Sequence, residues 1–250
     1  MPSESEEQLR VLAVVQARTG STRLPGKVLL ELGGRVVLGW VIRALRESRQ
    51  VDDVVVATST ETADDEIARF AERQGVSCVR GSEGDVLSRF CLALDQHPAD
   101  AVVRITADCP LIDPSLVDQV VVAWRQDPRW EYVATTLVRS LPRGLDVELV
   151  SAGTLRRLDR TAEGHHRQHV TSLLYAEPEG RRLLGLTVAP AADDLRVTLD
   201  TEDDWRMLQA VAGELGDRVV DWAELVDYLR ARPDVVALNS RVRQKPIEQG

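Results

Sequence analysis

Lysine is nearly absent from this 250-residue chain. Of its 31 cationic residues only Lys27 and Lys245 are lysines, and the second lies in a polar tail. Cysteine is equally sparse. Cys78, Cys91 and Cys109 are scattered, odd in number and without a C-x-x-C pair, so neither a disulfide framework nor a structural zinc site is indicated and buried free thiols are expected. Aromatics make up only 4% of the residues, and no apolar run approaches the roughly 20 residues needed to span a bilayer. The acidic start Met1 to Glu7 lacks the basic and apolar regions of a signal peptide, so a cytosolic, cytoplasmic protein is expected. Basic surface is lacking too. A formal charge of −9 disfavours nucleic acid and anionic membrane as partners, because both select a broad positive face.

What is present is an ordinary globular composition, 44% hydrophobic and 28% charged, long enough for one substantial core. Short β-branched runs at Val11 to Val15, Val54 to Thr58, Ser77 to Val79 and Ala101 to Ile105 alternate with helix-length segments. Ala63 to Gln74 reads as a helix, with Thr62 and Asp65 as a capping box and Gly75 at its end. Asp85 to Gln96 and Pro114 to Asp127 read as two more. The alternation predicts a mainly parallel sheet covered on both faces. After Trp130 the rhythm changes. Tyr132 to Thr136 and Asp146 to Val150 can pair around Leu141-Pro142-Arg143-Gly144, which makes this stretch a candidate arm. Helices resume at Glu202 to Val211, capped by Thr201 and Asp204, and at Asp221 to Arg232. One domain over 9–238 is expected, with residues 131–195 holding the arm and mobile tails at 1–8 and 240–250.

Basic charge is concentrated in one loop. From Val11 to Leu30 there are three cations, Arg18, Arg23 and Lys27, and no acid. Backbone amides of a glycine-containing turn can face an anion, while Arg18 forks onto phosphate oxygens and Lys27 acts as a point charge. A lone lysine in an arginine-using fold suggests a place where a compact ammonium fits and a planar guanidinium does not; a solvated basic turn is the alternative. The loop is not a Walker A motif. Five residues rather than four separate Gly20 from Gly26, and Val28 stands where a magnesium-binding hydroxyl belongs. The G-x-G-x-x-G dinucleotide fingerprint is missing as well.

The run Gln16-Ala17-Arg18-Thr19-Gly20-Ser21-Thr22-Arg23-Leu24-Pro25-Gly26-Lys27 resembles the signature loop of the cytidylyltransferases that make CMP-activated sugar acids, especially the SpsF-like branch. Val79 to Arg89, Val103 to Asp113, Gly144 to Glu148, Arg167 to Thr171 and Leu195 to Thr201 resemble that family's further motifs. The resemblance implies a Rossmann-like three-layer αβα nucleotidyltransferase fold, GT-A-like, with a mainly parallel mixed sheet and a small dimerisation arm. It implies CTP as nucleotide, a small anionic acceptor, Mg2+ as cofactor and a homodimer. By the same resemblance, Gln16, Ala17, Gly20, Ser21, Arg23, Arg80 and Ser82 border the nucleotide, and Arg18 and Lys27 are its catalytic cations. Asp108 and Asp200 would bind magnesium, Asp108 also lying against the nucleotide, and Asp146, Glu148 and His169 would meet the acceptor. The residues alone leave alternatives open. Asp108 and Asp200 could be caps or turns, Arg80 a surface ion pair, and His169 a helix histidine paired with a carboxylate. A nucleotidyltransferase using UTP, ATP or GTP, or a catalytically silent nucleotide-binding protein, would also fit.

Overall fold

The structure, a computed structural model, describes residues 9–244; the expected tail at 1–8, Lys245 and the rest of the far terminus lie outside the described residues. Nine strands form, in chain order β1 Val11–Gln16, β2 Glu31–Leu32, β3 Arg35–Val36, β4 Asp53–Ser59, β5 Ser77–Gly81, β6 Ala101–Thr106, β7 Tyr132–Ala134, β8 Glu148–Ser151 and β9 Leu183–Gly185 among the described residues. β2 and β3 make a small antiparallel hairpin, and the other seven form one sheet in the order β5-β4-β1-β6-β8-β7-β9. Only β8 runs against the rest, pairing antiparallel with both β6 and β7.

The sheet is apolar on both faces because alternate strand residues point to opposite sides. Val11, Ala13 and Val15 of β1 face a layer of α1 (Val37–Glu47), α2 (Asp65–Arg73), α4 (Pro114–Gln126), α8 (Glu202–Leu215) and α9 (Trp222–Ala231), where Trp40, Ile67, Trp124 and Leu208 are buried. Leu12 and Val14 face α3 (Val86–Gln96), α5 (Ala152–Thr161) and α7 (Ser172–Ala176), whose Phe90, Leu155 and Leu174 fill the other side. This is the expected three-layer α/β nucleotidyltransferase architecture. The helix starts at α3, α4 and α9 follow from Asp85, Asp113 and Asp221, each accepting a backbone N–H from its own first turn, and α8 carries the full Thr201–Asp204 capping box.

Several features depart from the sequence reading or add to it. Thr62 and Asp65 do not cap a helix together: Thr62–Asp64 is a 3-10 turn, α2 begins at Asp65, and the nearby Asp64 carboxylate is turned to other work described below. Tyr132–Ala134 and Glu148–Ser151 do pair, with Ala134 opposite Glu148, but as interior members of the main sheet, where Tyr132 and Val150 are fully buried. The segment before Asp200 is extended without being a strand; a single bridge joins Arg143 to Arg196. At the far end, Gln244 accepts a hydrogen bond from Arg196, so the 240–244 part of the expected tail is tied to the fold. The three cysteines are free. No helix among the described residues is long and apolar enough to cross a membrane.

Candidate active site

β1 lies between β4 and β6, both parallel to it, so the chain leaves this region in opposite directions and opens a crevice at the carboxyl ends of the strands. Gln16 closes β1 there, its carbonyl accepting from Ala107 N–H at 3.0 Å, while Ala17, buried, donates to Ala57. Beyond Ala17 the loop folds around Thr19. The Thr19 carbonyl accepts from Ser21 N–H at 2.8 Å and Gly26 N–H at 3.0 Å. Its N–H and hydroxyl both donate to Asp64 Oδ1 at 2.7 Å, and Ser59 donates to the other carboxylate oxygen. Burial alone would raise the Asp64 pKa, but these hydrogen bonds hold it below the ordinary carboxylate value. Gly26 takes a left-handed φ of 68°, which turns the chain into the short Lys27–Leu29 helix.

That turn drives Lys27 inward. Its ammonium, on a residue only 8% exposed, donates to Asp108 Oδ2 at 2.6 Å and to Asp200 Oδ1 at 2.7 Å. Asp108 arrives just after β6, and its carbonyl accepts from Leu199 N–H at 2.8 Å, which brings Asp200 alongside. Gly144 makes this approach feasible: its φ is 108°, and a Cβ there would lie 2.6 Å from Thr198 N. Asp200 also pairs with Arg196 at 2.6 Å and Arg23 at 3.1 Å, and Arg196 is anchored in turn on the fully buried Asp204. Burial pulls the Lys27 pKa down, yet the two carboxylates more than offset it and the value ends raised; Asp200, which burial would raise, is held well below its usual range by Lys27, Arg196 and Arg23.

Lys27, Arg23, Asp108 and Asp200, named from the sequence at positions up to 177 apart, therefore converge on one spot. Arg18 is half-buried on the same loop and makes no hydrogen bond or ion pair with any described residue; Gly20 is exposed and Ser21 partly so. A Cβ on Gly20 would meet the Glu83 carboxylate at 3.2 Å, so this loop faces the turn after β5, where Ser82 is exposed. Arg80 is already engaged: it donates to the carbonyls of Ser59 and Glu61 and pairs with Asp65 at 2.7 Å. Asp146 is paired with Arg139 at 2.6 Å. Glu148 is 9% exposed, and both its oxygens are taken. Arg104 reaches one at 2.6 Å, Tyr132 and Thr171 donate to the other, and Arg104 also holds the Gln16 side chain at 3.2 Å. Glu148 thus braces the floor under Gln16. His169 sits half-buried just after the short helix His165–Gln168, its carbonyl accepting from Ser172.

Asp64 and Arg104 were not singled out from the sequence. Asp64 is hidden among the acids from Glu61 to Glu66, whereas Arg104 interrupts the apolar run Ala101 to Ile105 and carries a visible signal. A cavity of about 280 Å3 lined by Leu45, Arg46, Asp53 and Ser77 lies at the opposite, amino-terminal edge of β4 and β5 and contains none of these groups. Among the described residues no cluster of three or more His, Cys, Asp or Glu side chains could hold a metal. Two carboxylates aimed at one cationic point nevertheless fit a Mg2+ that draws its other ligands from water and substrate phosphates, its usual coordination.

Fold and crevice define an α/β nucleotidyltransferase. Residues 12–189 match the family model described as Cytidylyltransferase, and the chain belongs to that family. It is 33% identical to the spore coat polysaccharide biosynthesis protein SpsF of Bacillus subtilis over 90% of this chain and 95% of that one. It is 32% identical to the 3-deoxy-manno-octulosonate cytidylyltransferase of Acidobacterium capsulatum, over 71% and 77% of the two chains. Among solved structures, a cytidylyltransferase from Leptospira borgpetersenii superposes with a TM-score of 0.88 at 28% identity, covering 95% of this chain and all of that one.

Proposed function

We propose that this protein transfers CMP from CTP to a small anionic acceptor, a sugar acid, phosphonate or phosphorylated small molecule, with release of pyrophosphate. The observation that carries this reading is the convergence of Lys27 with Asp108 and Asp200 beneath a basic loop. Arg18, Arg23 and Lys27 bind the triphosphate, and Asp108 and Asp200 hold Mg2+. When bound, the ion would offset triphosphate charge and acidify a hydroxyl that touches it. Lys27, held between Asp108 and Asp200, points its ammonium at the spot where the triphosphate would lie. An acceptor oxygen attacks the α-phosphorus in line, and the loop cations stabilise the charge that moves onto pyrophosphate. An acceptor oxygen that is already ionised needs no protein base.

An anionic acceptor suits Arg143, whose half-buried guanidinium has no hydrogen-bond or ion-pair partner among the described residues; burial and then Arg139 and Arg196 disfavour its charge, which Asp146 and Asp200 only partly offset. The name of the octulosonate relative also favours a sugar acid. A homodimer through 131–195 would cover Val138, 62% exposed, and Tyr175, 38% exposed, and light scattering tests it. The deciding experiment is pyrophosphate release with CTP, UTP, ATP and GTP against a panel of sugar acids and phosphonates. Release with CTP and at least one acceptor supports the reading; better turnover with a purine nucleotide, or none with any pair, overturns it.

A further inference from the structure

Arg89 is the most anomalous polar residue in the molecule. It lies in the first turn of α3 on the stripe Val86, Arg89, Phe90 and Ala93 that packs against the sheet, and it is 1% exposed. Its Nε, Nη1 and Nη2 all lack a hydrogen-bond partner. An arginine so placed has given up its water and received no hydrogen bond in return, a cost that folded proteins rarely leave uncompensated. Its position suggests what compensates it. The side-chain stem lies against Gly81 at the carboxyl end of β5, where an added Cβ would come within 2.9 Å of the Arg89 Cγ. The charges it feels are Arg18 of the basic loop and the carboxylates Asp64, Asp85 and Glu83 around the same sheet edge. The Arg89 stem therefore lies against the carboxyl end of β5, and its guanidinium feels the charges of the basic loop and of the turn after β5.

We propose that Arg89 reads the cytosine ring, its unpaired donors meeting the adjacent O2 and N3 acceptors when CTP occupies the crevice. This rests on the CTP reading above. Arg18 and the carboxylates Asp64, Asp85 and Glu83 act on the guanidinium with opposite signs, and an uncharged ring edge brings acceptors without adding charge to that balance. Two neighbouring acceptors are what a planar fork of N–H groups matches. Uracil presents N3–H in place of one acceptor and sets a donor against a donor. Arg89 is thus a specificity residue whose unliganded state is strained by an unpaid desolvation.

The experiment is calorimetric binding of CTP and UTP to the full chain as wild type, Arg89→Met and Arg89→Lys, with thermal denaturation of each without nucleotide. Wild type should bind CTP at least about tenfold more tightly than UTP. Arg89→Met should weaken CTP by about tenfold to a hundredfold, the range for losing one bidentate contact to a base, and leave UTP nearly unchanged. Its midpoint without nucleotide should match or exceed that of wild type, since a buried unpaired charge has been replaced by an apolar side chain of similar length. Arg89→Lys keeps the charge without the fork and should lose the preference too, so the test survives if the methionine variant fails to fold. Wild-type CTP preference retained in the folded variants overturns the role of Arg89 and leaves the nucleotide reading intact. Absence of CTP binding by wild type overturns both.

Discussion

Lys27→Met removes the ammonium on which the crevice converges and leaves two carboxylates facing each other. The loss is uneven. Asp200 keeps Arg196 and Arg23, whereas Asp108 has no other ion-pair partner among the described residues. Exposed pairs contribute up to about 1 kcal/mol, and breaking a fully buried pair costs about 3–5 kcal/mol. With side-chain exposures of 10% for Lys27, 22% for Asp108 and 14% for Asp200, and one carboxylate still paired, a cost of roughly 2 kcal/mol follows. In a chain of this size that lowers the melting midpoint by about 4–8 °C. The pH dependence has a definite sign. Asp200 is held below its ordinary value, so its contribution is complete above an unfolded pKa of about 3.9 and fades as pH falls toward the folded one. Lys27 is held above its ordinary value, so its share is complete below about 10.4 and fades only at more alkaline pH. The deficit of the variant should therefore be level from about pH 5 to 9 and shrink below about pH 4. Turnover with CTP should fall about a hundredfold or more if the ammonium stabilises developing charge. Differential scanning fluorimetry across pH, with and without Mg2+, and pyrophosphate release measure both. An unchanged midpoint at pH 7 would refute the electrostatic reasoning, and normal turnover would refute the catalytic one.

Asp108→Asn and Asp200→Asn should each abolish most turnover while leaving a folded protein, and Asp200→Asn should cost more stability because three cations meet there; undiminished rates at limiting Mg2+ would remove that residue from the site. Gly144→Ala should destabilise by roughly 2–4 kcal/mol in urea titrations, since the new Cβ collides with the Val197–Thr198 backbone and the residue is held at a left-handed φ. Glu148→Gln keeps the shape but strips the counter-charge from Arg104, whose side chain is 12% exposed, and should cost about 3 kcal/mol while raising the KM for CTP through a loosened Gln16. Stability equal to wild type in that variant would show that Arg104 does not need the charge.

The central strands were legible because a buried parallel strand must be β-branched and unbroken, and two helix starts because Pro114 suits a first turn and Thr201 with Asp204 forms a cap. The basic loop followed from a local argument, whereas Asp108 and Asp200 were set against it by the family resemblance. Pairings across the chain were not legible. Arg104 and Glu148 are direct partners in the β6–β8 register, but that register exists only because β8 inserts antiparallel between β6 and β7. From the sequence alone Asp146 to Val150 needed only one partner strand, so Glu148 was free to be assigned to an acceptor. Once β8 has a neighbour on each side, Arg104 comes from one and Tyr132 from the other, and both carboxylate oxygens of Glu148 are engaged within the fold. Arg89 shows the converse. Its place on the apolar stripe of α3 is readable as an inconsistency, and only the three-dimensional environment, with Gly81 against its stem and Arg18 among the charges it feels, supports the role proposed for it.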